Sequence, residues 1–404
     1  MQRHNQLELG REIVARLAAR STPLTDEVFY NDPTIYTDRE RFARERQVFF
    51  RTYPLVVGAS CRIAEPGDFF TDEYTDVPLL VVRGDDGRAR VFANVCRHRA
   101  AKVEVRDCGT GCAAFRCPYH GWTYSRTGEL RVVPHQGDYG PIDLSANGLR
   151  ELPSAERAGL IWARPTPSAP GDLDLGPELD GLLGDDLSAD LEAYRMAGFH
   201  HFETRTLTRR LNWKLCLDTF HESYHFATLH RESINPLLHS NLAPVRTYGP
   251  NHLLAAVRRT ATCLAEQSET EWDVIGQTAL VYLLFPNTIF IMQRDHIELF
   301  RIFPTDSVSA CTLEVSLYTP ESTETDAARR HWTRNFDLLM RTADDEDFTN
   351  GATIQRAFET GIVDHVTYGR NEPLLHNFHR ALREGMGETI PAAGPSAEPS
   401  AFGR

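Results

Sequence analysis

The stretch from residue 218 to residue 230 concentrates side chains that could bind a metal ion. His225 and His230 contribute two imidazoles, and Asp218 and Glu222 contribute two carboxylates. Imidazole and carboxylate without thiolate suit iron, manganese or zinc. Two histidines and one carboxylate on one face of Fe(II) leave other positions open for dioxygen. The stretch therefore predicts part of a mononuclear metal site.

The spacing of the two histidines constrains the backbone between them. Residues five positions apart point about 140° apart on a regular helix. We therefore expect a helix here to be broken or bulged between His225 and His230, as π-type distortions often are at functional sites. The ordinary alternative is one buried, hydrogen-bonded histidine and one surface histidine.

A second set of candidate ligands lies upstream, where Cys96-x-His98 is followed after eighteen residues by Cys117-x-x-His120. A structural zinc site can use two thiolates and two imidazoles. The alternative is a two-iron cluster with both thiolates on one iron and both imidazoles on the other. The pairing of one Cys with one His in each loop suits the cluster. Imidazole ligation raises its potential to about −150 to +300 mV, so that it would accept electrons from a reduced ferredoxin or flavoprotein.

Cys108 and Cys112 fall between the two ligand blocks. We expect ordinary thiols on a connecting loop, and a disulfide or an alternative ligand is the other interpretation. The 8 cysteines in 404 residues are too sparse for a disulfide scaffold. In a reducing cytosol, clustered cysteines more often bind metals.

The two blocks, Cys96-x-His98 and Cys117-Pro-x-His120-Gly-Trp, resemble the Rieske domain of the Rieske non-haem iron oxygenases, the ring-hydroxylating oxygenase α subunits. One departure is Ala100, which stands where many relatives have glycine. The resemblance implies a Rieske [2Fe-2S] cluster held by the two cysteines and two histidines of these blocks. It also implies O2 as co-substrate and NAD(P)H as the indirect source of electrons.

The same resemblance covers the mononuclear site. The family pattern acid-x-x-His-x-x-x-x-His is matched by residues 222 to 230, which implies Fe(II) on His225 and His230. The family's third ligand is an acid eight residues before a glutamine, and this selects Asp347, with Asp345 or Glu346 as the fallback. The ordinary interpretation is that the four acids at 344–347 complement a helix macrodipole.

Two further acids receive roles from the resemblance. Glu222 is then not a ligand but the carboxylate that bridges a mononuclear-site histidine to a cluster histidine of the neighbouring subunit. Such a bridge would fix both rings through hydrogen bonds, and a solvated helix carboxylate is the ordinary alternative. Asp218 lies one helical turn before Glu222. It would orient substrate or water near the iron, or only support a ligand.

The surrounding elements predict an α+β fold. Short apolar runs at 40–165, separated by turns such as Asp85-Asp86-Gly87, indicate a β-rich region. A proline-rich run at 164–171 indicates a domain boundary. Long β-prone stretches are expected at 252–261 and at 280–303, the latter broken at Pro286-Asn287 and Asp295-His296. Helices are expected at 1–20, 323–343, 344–360 and 371–384.

The resemblance implies an N-terminal β-rich Rieske domain and a catalytic domain whose antiparallel β-sheet is flanked by helices, of the helix-grip type. We expect the following segments: an N-terminal helical segment that packs on the catalytic domain at 1–45, the Rieske domain at 46–165, the catalytic domain at 166–390 and a disordered tail at 391–404.

Composition limits the partners of the chain. Its net charge of −13 argues against nucleic acid, which requires a basic face. No segment reaches the roughly 18 apolar residues that a membrane span requires, so we expect no membrane partner. Residues 1 to 20 lack the apolar run of a secretory signal, and we expect a cytoplasmic protein.

The implied function is that of a terminal oxygenase. It would take electrons from a ferredoxin or flavin reductase and use O2 to mono- or dihydroxylate an aromatic or aromatic-acid substrate. The alternative is a Rieske monooxygenase or demethylase for a quaternary amine or methyl ether, which Glu222 favours because relatives acting on quaternary amines often carry Glu. We also expect a homotrimer, with or without a small β subunit. A pure electron-transfer Rieske protein or a zinc-stabilised binding module would not explain the second motif.

Overall fold

The computed structural model describes residues 1–167 and 171–389. The chain divides into two compact units. The first contains Met1–Gln2, Arg46–Thr204 and Ser316–Ala328, and the second contains Arg3–Glu45, Arg205–Val315 and the chain from Arg329 onward. The predicted tail at 391–404 lies outside the described residues, as does part of the proline-rich run. The predicted domain bounds stay a prediction.

The strands of the described chain are numbered here in chain order. They are β1 Phe29–Asn31, β2 Leu55–Ala59, β3 Phe69–Asp72, β4 Leu79–Arg83, β5 Ala89–Ala93, β6 Cys108–Gly109, β7 Ala114–Arg116, β8 Thr123–Ser125, β9 Leu130–Val132, β10 Glu151–Leu152, β11 Ser154–Arg157, β12 Leu160–Ala163, β13 His200–Arg209, β14 Val245–Tyr248, β15 Asn251–Val257, β16 Thr278–Leu284, β17 Thr288–Met292, β18 Ile297–Pro304, β19 Cys311–Thr319 and β20 Val366–Tyr368.

The α-helices are α1 Arg3–Ala19, α2 Arg39–Gln47, α3 Gln136–Tyr139, α4 Gly176–Glu192, α5 Trp213–Asp218, α6 Asp326–Met340, α7 Thr349–Glu359 and α8 Pro373–Gly385. A π-helical segment, Arg341–Phe348, joins α6 to α7. None of the helices in the described part of the chain has the length and apolar character that a membrane crossing demands.

The first unit contains three small antiparallel sheets. Their strand orders are β10-β5-β4-β3-β6, β11-β12-β2 and β7-β8-β9. β4 is buried along its whole length, and its alternate residues enter two separate apolar clusters. Two loops, one after β5 and one after β7, carry the predicted cluster ligands against the core that contains Phe69 and Phe92.

The second unit is organised around strands β14 to β18 of a sheet with the order β13-β19-β18-β17-β16-β15-β14. Neighbouring strands from β14 to β18 are antiparallel. α5 packs on β18, and α8 packs on β14 and β15. This arrangement of helices on an antiparallel sheet, together with the β-rich first unit, confirms the predicted α+β fold.

Most predicted elements have counterparts in the structure. The breaks at Pro286-Asn287 and Asp295-His296 separate β16, β17 and β18 as expected. The prediction of a strand through residue 261 was wrong at its end, because β15 stops at Val257 and a 3₁₀ segment begins at Arg259. β13, β19 and α4 had no individual prediction.

Candidate metal centres

The two candidate histidine ligands follow a short capped helix. The side chain of Asn212 accepts a hydrogen bond from the backbone N–H of Lys214 at 3.0 Å and so caps the start of α5. α5 ends at Asp218, and His225 lies on the 3₁₀ turn Tyr224–Ala227. The helix is therefore broken before the first histidine, and non-helical turns carry the chain on to residue 230. The break was expected between His225 and His230, whereas α5 ends before both histidines.

The structure brings His225, His230 and Asp347 together. The Nε2 atoms of the two histidines are 3.1 Å apart. Oδ1 of Asp347 lies 3.1 Å from Nε2 of His230 and 3.6 Å from Nε2 of His225. Among the described residues these three form the single group of three or more potential ligands whose donor atoms all lie within 4.8 Å of one another.

The Nδ1 atom of each imidazole contacts a further carboxylate, on the side of the ring away from the centre of the group. Oε1 of Glu222 contacts Nδ1 of His225, and Oε2 of Glu346 lies 2.5 Å from Nδ1 of His230. Ser233 Oγ donates to the same Glu346 oxygen at 2.6 Å. A carboxylate on Nδ1 keeps the proton there, so that the lone pair of Nε2 faces the centre of the group.

The donor set fits a divalent metal ion. Oδ1 of Asp347 is buried and accepts no hydrogen bond from the described residues. Burial raises the pKa of Asp347, against the lowering effect of His230 and His225. A buried carboxylate oxygen without a donor is costly, and two imidazole lone pairs pointed at the same place repel one another. A cation between the three atoms satisfies all of them.

The remaining acids of 344–347 are used differently. Both carboxylate oxygens of Asp344 accept hydrogen bonds from Arg209. Asp345 is exposed, and Glu346 supports His230. Of the acids named as candidates, Asp347 is the one whose oxygen faces both Nε2 atoms, although its role as ligand stays a prediction.

Asp218 lies in a buried hydrogen-bond network and is not among the residues that line the cavity beside the metal group. Its carboxylate accepts a hydrogen bond from Tyr36 and lies 2.9 Å from Nε2 of His379. Tyr368 joins the same network through the hydroxyl of Tyr36 at 2.6 Å. The role of Asp218 as a polar residue of the pocket stays a prediction.

The candidate cluster loops form two turns of the same hydrogen-bonding pattern. Cys96 N donates to Ala101 O at 2.8 Å, and Cys117 N donates to Trp122 O at 2.8 Å. The fourth residue after each cysteine has a positive φ: 60° at Ala100 and 75° at Gly121. This conformation explains why glycine is the expected residue at position 100 and why alanine there carries a steric cost.

The four candidate cluster ligands meet at one edge of the first unit's core. Cys96 and Cys117 are buried in the same apolar cluster. The ring centroids of His98 and His120 are 4.6 Å apart, and His98 stacks on Trp122 at 5.0 Å. Nδ1 of His98 is buried without a hydrogen-bond partner. Two buried thiols and a neutral imidazole with an unused nitrogen fit an iron–sulfur cluster.

Tyr124 and the two other cysteines complete this region. The hydroxyl of Tyr124 lies 3.2 Å from Sγ of Cys96 and accepts a hydrogen bond from Arg97 N at 3.0 Å. Hydrogen bonds to cluster sulfur tune the potential of such clusters. Cys108 and Cys112 are both free thiols in this structure.

A cavity of about 230 Å³ opens beside the metal group. Its wall is mostly apolar and includes Phe220 and Phe226. A separate polar set lines it as well: Arg258, Gln293, His296 and Glu298. Sequence reasoning did not find these four residues, because they come from the ends of different strands and share no short motif.

Family models match both units of the chain. A model described as Rieske [2Fe-2S] domain matches residues 54–153, and one described as ring hydroxylating alpha subunit (catalytic domain) matches residues 196–388. The chain belongs to the Rieske non-haem iron oxygenases. A Rieske [2Fe-2S] cluster and a mononuclear iron are the cofactors of this family, and both donor sets described above suit them.

The chain resembles curated relatives of several kinds. It is 32% identical over 211 residues to the glycine betaine monooxygenase oxygenase subunit of Chromohalobacter salexigens, covering 52% of this chain and 44% of that one. It is 33% identical over 206 residues to the 2-aminobenzenesulfonate 2,3-dioxygenase subunit alpha of an Alcaligenes species, covering 49% and 50%. The chain thus spans about half the length of the curated relatives it matches.

Solved structures share the fold of this chain. The quaternary ammonium Rieske monooxygenase CntA matches with a TM-score of 0.74 at 17% identity, covering 88% of this chain and 96% of that one. Naphthalene 1,2-dioxygenase from a Rhodococcus species matches with a TM-score of 0.70 at 19% identity, covering 94% and 98%. At these identities the likeness establishes the fold alone.

Proposed function

We propose that the chain is the terminal oxygenase component of a Rieske system. It receives electrons from a ferredoxin or flavin reductase and uses O2 to hydroxylate a small organic substrate. The observation that carries the proposal is the buried, unpartnered Oδ1 of Asp347, which faces the Nε2 atoms of His225 and His230 in a chain that also carries Rieske loops.

The candidate ligands form two separate metal centres. Cys96, His98, Cys117 and His120 hold the cluster. His225, His230 and Asp347 hold the mononuclear iron. When bound, the cluster supplies single electrons and the mononuclear iron supplies a place for dioxygen to react.

Glu222 links the two centres across subunits in this proposal. Its Oε1 contacts Nδ1 of His225 and its Oε2 accepts the backbone N–H groups of Tyr224 and His225, so a further partner would use a remaining lone pair of the carboxylate. A cluster histidine of a neighbouring subunit is that partner, which requires a homotrimer in which each cluster serves the next subunit's iron. The carboxylate fixes both rings and gives the electron a short path.

An aromatic compound or aromatic acid is the first substrate candidate. An engineered apolar cavity of about 150 Å³ holds benzene in another protein, so the cavity of about 230 Å³ has room for one ring with a substituent. Phe220 and Phe226 line this cavity with aromatic rings. Relatives named for chlorobenzene and 2-aminobenzenesulfonate support the same class.

A quaternary amine is the second candidate, with monooxygenation or demethylation as the reaction. Glu222 and the relatives named for glycine betaine favour it. Cation recognition commonly uses a cage of aromatic faces. Within the described residues the carbocyclic aromatic lining of the cavity consists of Phe220 and Phe226, without tyrosine or tryptophan. That lining suits the aromatic class better.

A substrate screen tests the proposal. Wild-type protein with a reductase system is supplied with aromatic hydrocarbons, aromatic acids, methyl ethers and quaternary amines, while O2 and NADH consumption and product masses are recorded. A gain of two oxygens and two hydrogens indicates cis-dihydroxylation, one oxygen indicates monooxygenation, and loss of a methyl group indicates demethylation. The matched control is Asp347→Ala, which is expected to consume no O2 with substrate. Turnover by that variant at the wild-type rate would overturn the proposal.

A further inference from the structure

Arg258 stands at the end of a row of residues on the cavity face of β15. Leu254 and Ala256 line the cavity, and Arg258 follows two positions later, just past the end of the strand. Side chains two apart on a strand share a face. The chain near Arg258 stays extended, because its N–H donates to Gln277 O at 2.9 Å and the residue bridges to Leu238. The guanidinium is therefore directed into the cavity by the register of the sheet.

The guanidinium of Arg258 has a buried donor without a partner. Its Nη2 donates to Oε1 of Gln293 at 2.8 Å, but its Nε is buried and donates to no described residue. No carboxylate among the described residues comes within ion-pair distance of it. Burial lowers the pKa of Arg258, opposed by Glu298 and Asp295, and an arginine remains charged under such conditions. A buried guanidinium donor that lacks an acceptor is unfavourable.

Glu298 does not fill this role, because both its oxygens are engaged elsewhere. Gln293 Nε2 donates to Oε2 of Glu298 at 3.3 Å, and His296 Nε2 lies 3.2 Å from Oε1. Although burial opposes the charged form of His296, its hydrogen bonds to Asp295 and Glu298 raise its pKa to about 9. His296 is therefore protonated at neutral pH and shares its charge between Asp295 and Glu298. Arg258 thus keeps a buried Nε donor without a partner in the cavity wall, with Glu298 and Asp295 near it but not paired to it.

The sheet leaves room in front of Arg258. Ala256 pairs with Ala279 across β15 and β16, and both line the cavity. Beyond them the same face presents Leu254, which pairs with Val281. A ligand therefore meets small and apolar side chains next to the guanidinium of Arg258.

We propose that Arg258 binds an anionic group of the substrate, carboxylate or sulfonate, and that the chain acts on single-ring aromatic acids. This inference rests on the proposed oxygenase function. The planar fork of arginine matches a carboxylate with two parallel hydrogen bonds. The apolar part of the ligand then occupies the cavity that the metal group also lines, so Arg258 selects the substrate and fixes its orientation.

Binding measurements on the metal-loaded protein test the inference without catalysis. Benzoate, salicylate, phenylacetate and benzenesulfonate are each compared with the matching neutral amide by calorimetry. A charge-assisted hydrogen bond is worth roughly a ten- to hundredfold difference in affinity, so the acids are expected to bind about ten- to a hundredfold more tightly than the amides. Arg258→Gln is expected to abolish that preference, and Arg258→Lys to retain part of it because the charge remains.

The neighbouring arginine supplies the matched control. Arg259 is exposed and bonds to Asn235 at 2.8 Å, outside the cavity wall. Arg259→Gln is expected to keep the wild-type preference, and thermal unfolding checks that each variant is folded. An acid preference that survives in Arg258→Gln would overturn the inference, because the anion would then be held elsewhere. Failure of every acid to bind at millimolar concentration would overturn it as well.

Oxygen consumption separates this inference from the function on which it rests. Acids that bind through Arg258 without substrate-dependent O2 uptake would leave the ligand class standing and remove the oxygenase function. Turnover of neutral compounds with no preference for acids would leave the oxygenase function standing and remove the proposed ligand class.

Discussion

The Nε2 atoms of His225 and His230 lie 3.1 Å apart, and each ring has its Nδ1 on a carboxylate. With both protons held on Nδ1, two nitrogen lone pairs and the unpartnered oxygen of Asp347 face one point. Such a grouping is unfavourable without a cation and is ready to accept one. The two supporting carboxylates, on Glu222 and Glu346, are therefore as informative about the site as the ligands.

Glu222 and Glu346 are predicted to differ in one measurable respect. Glu346→Gln should weaken iron binding by about ten- to a hundredfold, because a partner that orients a ligating histidine is lost. Glu222→Gln should weaken it similarly and should also slow the passage of an electron from the reduced cluster. Stopped-flow measurement of cluster absorbance under O2, with both variants loaded to equal iron content, makes the comparison. Equal rates in the two variants would remove the bridging role of Glu222.

Cys117→Ser is predicted to abolish the Rieske absorption and its EPR signal. The cluster loses a thiolate, while the mononuclear site in the other unit keeps its three ligands. Cys108→Ser is the matched control, since Cys108 is exposed and forms no disulfide. Loss of the cluster spectrum in Cys108→Ser would show that this thiol is a ligand after all.

Glu45→Ala is predicted to lower the free energy of unfolding by roughly 3–5 kcal/mol, because it leaves a buried ammonium uncompensated. Lys214 Nζ lies 2.5 Å from Glu45 Oε2, and both side chains are fully buried at 0% exposure. Trp213 Nε1 also donates to Glu45 at 3.1 Å, which ties the start of α5 to α2. Urea unfolding measures the loss.

An exposed ion pair provides the control for that measurement. Glu269→Ala breaks the pair with Arg11, whose side chains are 56% and 44% exposed for Arg11 and Glu269. The expected cost is much smaller than for the buried pair, because solvent screens exposed charges. Equal losses for Glu45→Ala and Glu269→Ala would mean that the buried pair does not stabilise the start of the ligand segment.

His296 is predicted to make the stability of the protein depend on pH. Its folded pKa of about 9 lies above the ordinary value of 6.5. The stabilisation is therefore complete below pH 6.5 and is lost as the pH rises through about 9. The difference in unfolding free energy between wild type and His296→Gln should shrink by up to about 3 kcal/mol over that interval. A difference that stays constant from below pH 6.5 to above pH 9 would contradict the assignment of the charge.

The ligand-bearing loops could be predicted from the sequence because the residue patterns that mark them are local. Cys96-x-His98 and Cys117-x-x-His120 each fall within one turn, and the spacing of His225 and His230 alone excludes an unbroken helix. Breaks of the second sheet at Pro286-Asn287 and Asp295-His296 were visible for the same reason. These features follow from a few adjacent residues, whatever the rest of the chain does.

The polar residues of the cavity wall could not be predicted from the sequence, because the register of the sheet brings them together. Arg258 and Gln293 are 35 residues apart and meet through a side-chain hydrogen bond. The separate roles of Glu346 and Asp347 also depend on the π-helical segment. On a regular helix adjacent residues differ by about 100° in direction, and the sequence offers no sign that both would reach His230.

Iron content measured together with the EPR spectrum of the reduced protein tests the central claim most directly. Wild-type protein should contain about three irons per chain, two in the cluster and one at the histidines. Asp347→Ala should contain about two with an unchanged Rieske signal, and the exposed-histidine control His331→Ala should match wild type. Zinc in place of iron, or an Asp347→Ala protein that keeps its third iron, would contradict the account.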